Sequence, residues 1–235
     1  MQIDVLTLFP EMFAGILSES IIKRAIERDQ AAVNLVNFRD YALDNHRSVD
    51  DKPYGGGPGM VLMCQPIFDA VEDLLNVGPA ADEIVLLSPQ GQPWTQQTAL
   101  ELSRKSRLVL IAGHYEGFDE RIREHLPTRE ISIGDYILTG GEIAAMVVMD
   151  SVIRLLPGVL GDDQSSADES FSHGMLEYPQ YTRPEKYRDW KVPDILLSGH
   201  HENIERWRRD QALQRTQRRR PDLWQRRQQE QQQQQ

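Results

Sequence analysis

The sequence predicts an α/β protein, a mostly parallel sheet covered on both faces, followed by a small and mostly helical C-terminal region. Three observations carry this expectation. Short apolar runs alternate with helical periods throughout residues 1–158, the pattern of strands buried on both sides by crossover helices. Three glycine-containing turns, SPQGQ, AGHYEGFDE and SIGDYILTGG, follow candidate strand ends. A polar stretch at 159–174 then separates this body from an arginine-rich segment.

The elements follow in order. IDVLTLF (3–9) is a strand closed by Pro10. SESIIKRAIERDQ (18–30) has helical period, with Ile21, Ile22, Ala25 and Ile26 on one side. VNLVNF (33–38) is a second strand, and a long glycine-rich connection fills 39–60. A helix over 65–76, a strand over 83–88, a helix over 94–105 and a strand over 107–113 come next. TREISIGDY (128–136) contains the last strand, and GEIAAMVVMDSVIRLLPG (141–158) is a helix stopped by Pro157 and Gly158. Residues 159–174 read as a linker or lid. HENIERWRRDQALQRTQRR (201–219) is a helix with Ile204, Trp207 and Leu213 on its packed side. The closing QQEQQQQQ is low in complexity and need not fold. The expected organisation is therefore an α/β domain (1–160), a linker or lid (161–174), a helical domain (175–227) and a disordered glutamine-rich tail (228–235).

Composition narrows the function classes. The net formal charge is −10, yet residues 201–235 hold nine Arg against five acids, so the first 200 residues carry −14. An acidic body with a basic appendage suits a polyanionic partner, although a solvated helix face has the same composition. Cys64 is the single cysteine, which rules out a disulfide framework within the chain and fits a reducing compartment. Its apolar setting, MVLMCQPIF, marks it as buried filler. The N-terminal residues lack a basic leader, and the apolar runs are too short to cross a bilayer. Cytoplasmic residence is expected.

The three glycine turns imply one pocket at the carboxyl ends of the strands, where open α/β sheets bind ligands. It is not a phosphate site, for neither G-x-G-x-x-G nor G-x-x-x-x-G-K-[ST] occurs. There is no H-E-x-x-H for zinc and no G-x-S-x-G nucleophile elbow. A neutral or cationic ligand held by peptide groups fits better. Asp135 and Glu116 follow the glycine turns and favour positive charge, although helix capping or surface exposure explains either acid alone.

The words LTLFPEMF (6–13), YGGGPGMV (54–61), LLSPQG (86–91), GHYEGFDERI (113–122), SIGDYILTGGE (132–142), VIRLLPGVLG (152–161), YPQYTRP (178–184) and VPDILLSGHH (192–201) occur in this order. With them, the chain resembles the bacterial tRNA (guanine37-N1)-methyltransferases from Met1 to about residue 227. The resemblance implies a homodimer whose catalytic domain is threaded as a deep trefoil knot, an exception to the unknotted rule. It implies S-adenosylmethionine as cofactor, and Mg²⁺ in the reaction without a dedicated protein site. The cofactor pocket falls on Leu86, Leu87, Ser88, Pro89, Gln90 and Gly91, on Gly113, Tyr115 and Glu116, and on Ile133, Gly134, Asp135, Tyr136, Ile137 and Leu138, closed by Gly140 and Gly141.

The resemblance also assigns the chemistry. A carboxylate in the 161–174 linker is the base that removes the guanine N1 proton. The family word Glu-Asp-Ser-Phe reads Asp168-Glu169-Ser170-Phe171 here, so Glu169 takes the role, with Asp168 as the fallback. Arg154 stabilises charge on O6, against the plainer reading of an ion pair with Asp150 four residues earlier on the helix. Asp50 and Gly59 belong to the guanine-side surface, with Pro58 and Tyr115 as walls for an extruded base. Arg208 and Arg215, with their arginine neighbours, face the phosphates of a tRNA anticodon arm carrying G37. Two rivals stand beside this reading, a knotted enzyme with another RNA target and an RNA-binding protein without catalysis.

Overall fold

The computed structural model describes residues 1–161, 169–172 and 174–233. Two compact units result, Met1–Gly161 and Asp162–Gln235.

The first unit is built on five parallel strands: β1 (Gln2–Thr7), β2 (Ala32–Asn37), β5 (Glu83–Pro93), β6 (Arg107–Ala112) and β7 (Arg129–Ser132), in the spatial order β2-β1-β6-β5-β7. Helices α1 (Ala14–Ser18) and α2 (Ser20–Glu27) lie between β1 and β2 in the chain. A small antiparallel pair, β3 (Asp50–Asp51) and β4 (Val61–Leu62), then leads into α3 (Cys64–Asn76). Helix α4 (Gln96–Leu102) joins β5 to β6, α5 (Glu120–His125) joins β6 to β7, and α6 (Glu142–Ile153) follows β7.

Side chains alternate along each strand, which sorts the sheet into two cores. On one face Ile3, Val5, Val85, Leu87, Leu108 and Leu110 pack with Ile22 of α2 and with Val148, Met149 and Val152 of α6. On the other Leu6, Leu86, Val109 and Ile111 pack with Phe38 and with Ile67, Ala70 and Val71 of α3. All six residues of β6 are buried, and after Arg107 this central strand reads as a continuous apolar run without alternation. Each fully buried aliphatic side chain contributes on the order of 1.5–3 kcal/mol.

The amino ends of the strands are held by a buried ion pair. Arg107 is 1% exposed and Asp4 fully buried, with Nε donating to Oδ2 at 2.8 Å. Nη2 donates to the Leu74 carbonyl at 2.7 Å, and Nη1 donates to the Val77 and Pro79 carbonyls. A cation at the end of α3 thus satisfies carbonyls that the helix leaves open.

Among its described residues the second unit contains a two-stranded hairpin, β8 (Lys186–Tyr187) and β9 (Trp190–Lys191), and three helices: α7 (Asp194–Leu197), α8 (His201–Arg219) and α9 (Pro221–Gln233). Helix α8 has the bounds that its period predicted. Buried Thr216 donates to Ala212 O at 2.7 Å and accepts from Leu176 N at 2.9 Å. Residues 228–233, expected to be disordered, continue α9 as helix. Proline at its first position and strong helix formers thereafter are the physical reason. The short elements α5, α7 and β8–β9 were not legible in the pattern. Among the described residues, no helix is long and apolar enough to cross a membrane.

Candidate functional site

Strand β5 loses register with β7 between Leu87 and Gln92, so Ser88–Gly91 bulges at the strand end. After β6, Gly113–Phe118 turns through Tyr115, held at φ 60°, and Gly117, at φ 115°. After β7, residues 133–141 run back toward β6, where Gly141 N donates to Gly113 O at 2.7 Å. These three segments close around one cavity of about 400 Å³, within the usual ~300–1,000 Å³ of small-molecule sites.

Two glycines make the closure possible. A Cβ on Gly141 would come within 2.7 Å of Gly113 N and 2.8 Å of Ala112 Cα. A Cβ on Gly91 would come within 2.6 Å of the Glu130 carbonyl carbon. In both places backbone lies where a side chain would be, and backbone cannot give way.

Of the expected cofactor residues, Leu87, Ser88, Pro89, Gln90, Gly113, Tyr115, Glu116, Ile133, Gly134, Tyr136, Ile137, Leu138, Gly140 and Gly141 line the cavity. Three do not. Leu86 is fully buried and packs with Leu6 and Ile111 on the opposite sheet face, because strand alternation turns it away from Leu87. Gly91 lies against the Ile131 backbone, as a support of the wall. Asp135 is exposed and outside the lining.

Arg123, His114 and Glu142 were missed. Arg123 reaches the cavity from α5 and donates to Ser88 Oγ at 3.1 Å and Gln90 Oε1 at 3.2 Å, while also pairing with Glu130. It pins the 88–91 bulge. His114 lines the cavity and stands 5.0 Å from the Phe9 ring. Glu142, 1% exposed at the start of α6, accepts from Thr7 Oγ1 at 2.9 Å. Glu142 and His114 lay inside the quoted glycine words, so their positions were visible but their contacts were not.

At the 54–60 loop, Glu116 N donates to Met60 O at 3.0 Å, and Gly59 (φ 77°) leaves room for the Glu116 side chain. Asp50 pairs with Leu62, which bridges to Phe118 in the cavity wall. Behind this loop the Asp119 carboxylate caps α5 and takes two hydrogen bonds from Arg121, at 2.8 and 2.7 Å. That pairing holds it far below the usual carboxylate range. Burial pushes the Cys64 thiol up, with Asp119 adding to the effect, so Cys64 disfavours the reactive thiolate.

Arg154 caps the far end of α6, with its N–H on Asp150 O at 3.1 Å. At 1.5 Å per residue it stands roughly 20 Å along the helix from Gly141. Glu169 belongs to the second unit, where it lines a groove with Arg208, Arg209 and Arg227. Asp168 lies outside the described residues. Arg208 is occupied within its unit, donating to Glu205 at 2.8 Å and lying 4.8 Å over the Tyr178 ring. Arg215 donates to Glu177 O at 3.4 Å. The exposed arginines of α8 are Arg206, Arg209, Arg218 and Arg219. Among the described residues, no three His, Cys, Asp or Glu side chains converge as metal ligands.

A parallel sheet with a peptide-walled cavity at its carboxyl ends defines an α/β protein with a small-molecule-sized space against its backbone. Residues 1–226 match the family described as tRNA (Guanine-1)-methyltransferase TrmD. The chain belongs to that family. It is 60% identical over 223 residues to a tRNA (guanine-N(1)-)-methyltransferase of Halalkalibacterium halodurans, covering 95% of this chain and 91% of the relative. A protein of the same name from Moorella thermoacetica is 62% identical over 224 residues, covering 95% and 90%. One from Dehalococcoides mccartyi is 58% identical over 225 residues, covering 96% and 91%.

Proposed function

We propose that this chain transfers a methyl group from S-adenosylmethionine to N1 of guanine 37 in tRNA, giving 1-methylguanosine beside the anticodon. The observation that carries this reading is the cavity at the ends of β5, β6 and β7 in a chain of this family. The residues fit an adenosine. Leu87, Ile133, Leu138 and Ala144 supply apolar wall, and the 133–141 backbone supplies donors and acceptors for a base edge. When bound, S-adenosylmethionine supplies a methyl group activated by its sulfonium.

The protein's own groups do the rest. Guanine N1 carries a proton and is a poor nucleophile. Glu169, or Asp168, takes that proton as general base. Arg154 donates to O6 as negative charge spreads onto it. Gly59 and Asp50, beside Glu116, border the flipped guanine, and the α8 arginines hold phosphates of the anticodon arm. Residues 1–160 form the knotted catalytic domain, 161–174 the lid and 175–227 the tRNA-binding domain. The tight crossing of 140–141 at 112–113 is what a threaded chain requires. A tRNA substrate sets its work in the cytoplasm.

The active unit is a homodimer with shared sites. On α6, Ile143 and Val147 stand one turn apart and are 46% and 39% exposed, an apolar patch that a second copy would cover. Arg154, about 20 Å from its own Gly141 along α6, serves the cavity of the second copy in this arrangement.

Incubation with methyl-labelled S-adenosylmethionine and two transcripts, one with G37 and one with A37, tests the reaction; label on both, or on neither, sinks it. For the shared site, inactive Arg154→Ala and Glu169→Gln subunits are mixed. The heterodimer regains one intact site only if Arg154 and Glu169 at that site come from different copies, so recovery supports sharing and complete silence counts against it.

A further inference from the structure

The 186–191 hairpin has no role in the chemistry above, yet its surface is unusual. Every residue from 181 to 191 is exposed. The register sets Tyr187 opposite Trp190 and Lys186 opposite Lys191. Tyr187 is 56% and Trp190 66% exposed, with ring centres 6.1 Å apart and planes 39° from parallel. Arg188, in the left-handed region at φ 56°, turns its guanidinium back to 5.4 Å from the Tyr187 ring and 5.7 Å from the Trp190 ring.

Packing does not explain these rings. A core residue would be covered, and a two-stranded hairpin gains little by showing two large aromatics to water. What surrounds them is cationic: Arg183, Lys186, Arg188 and Lys191 stand against Glu185 and Asp189. Flat rings interleaved with cations are the composition of a surface that stacks bases while neutralising the adjoining phosphates. Only unpaired nucleotides present a free base face, because helical stems keep theirs stacked.

We infer that the β8–β9 hairpin is a stacking platform for an unpaired nucleotide of the tRNA, with Trp190 and Tyr187 as the rings and Arg188 as the phosphate partner beside them. This rests on the reading of the chain as a tRNA methyltransferase. It makes the hairpin a second contact with the substrate, apart from the cavity that receives guanine 37.

The test is binding of a full-length G37 transcript to the intact protein over a range of salt, with methyl transfer measured at saturating tRNA. Trp190→Ala is expected to weaken binding roughly 5- to 150-fold, with kcat and the salt slope unchanged. Trp190→Phe restores most of the loss. Arg188→Gly keeps the turn, since glycine accepts its φ, and lowers the salt slope by about one. Unchanged affinity in both Trp190→Ala and Tyr187→Ala overturns the platform while wild-type methylation leaves the function intact. A shift in sedimentation of Trp190→Ala without loss of tRNA affinity also overturns it, and marks the rings as a contact between copies. A wild-type protein that binds no tRNA at all sinks the functional reading itself.

Discussion

In the first unit the wall of the ligand site is peptide. Gly141 lies so close to Gly113 and Ala112 that no Cβ fits between them, and β6 beneath is buried throughout. In the second unit the groups that would meet a ligand are the tips of long side chains: Arg206, Arg209, Arg218 and Arg219 on α8, Tyr187 and Trp190 on the hairpin. A backbone site obtains its shape from tertiary closeness and is intolerant of added atoms. A side-chain site obtains its affinity from the sum of separable contacts and loses it in increments. The two kinds of site suit their proposed ligands, a small nucleoside gripped all round and a large polyanion touched at many points.

Several substitutions break or sharpen this contrast. The largest effect is expected for the chemistry, where Glu169→Gln and Arg154→Ala each lower kcat by about 10²–10⁴-fold. Single-turnover methyl transfer reads this loss, and calorimetry should find S-adenosylmethionine affinity intact.

Next comes Arg107→Leu in the first unit. It leaves the Asp4 carboxylate buried without its partner and should cost about 3–5 kcal/mol in urea denaturation. The half-exposed Arg208–Glu205 pair of the second unit should yield less than about 1 kcal/mol on Arg208→Ala. Comparable losses at the two positions would erase the distinction between the units.

Gly141→Ala should cost about 1–3 kcal/mol of stability through overpacking and, unlike any single arginine change, weaken cofactor binding. A variant that binds S-adenosylmethionine normally would show the 112–113 crossing to be slack. Arg206→Ala and Arg209→Ala should each lower the salt slope of tRNA binding by about one, without touching cofactor affinity.

The smallest effect belongs to pH. Arg220 holds Asp222 down at about 2, against an ordinary 3.8. A depressed folded pKa contributes stability that is present above 3.8 and is lost as pH falls through about 2. Helix content by circular dichroism should therefore decline in that window, and Asp222→Asn should remove this part of the decline.

Legibility in the sequence also differed between the units. The parallel sheet was readable because strands buried on both faces leave runs such as RLVLIA, and the helices between them show their period. The site was readable at its glycines, since three turns at strand ends imply a common floor. Leu86 stands beside Leu87 in the same word, but strand alternation buries its side chain in the opposite core. Arg123 was missed because its role depends on Ser88 and Gln90, far away in the chain. The hairpin was missed because two-residue strands carry no periodicity.

By itself the sequence determined the secondary-structure alternation, the charge asymmetry, the family and the residue types at the turns, all of which depend on neighbours along the chain. Tertiary structure alone decided that Gly141 packs against Gly113 and Ala112, that Arg107 meets Asp4, and that Arg123 reaches Ser88 and Gln90. Those facts depend on strand order and on which backbones pass within van der Waals contact, and the sequence does not encode such distances locally.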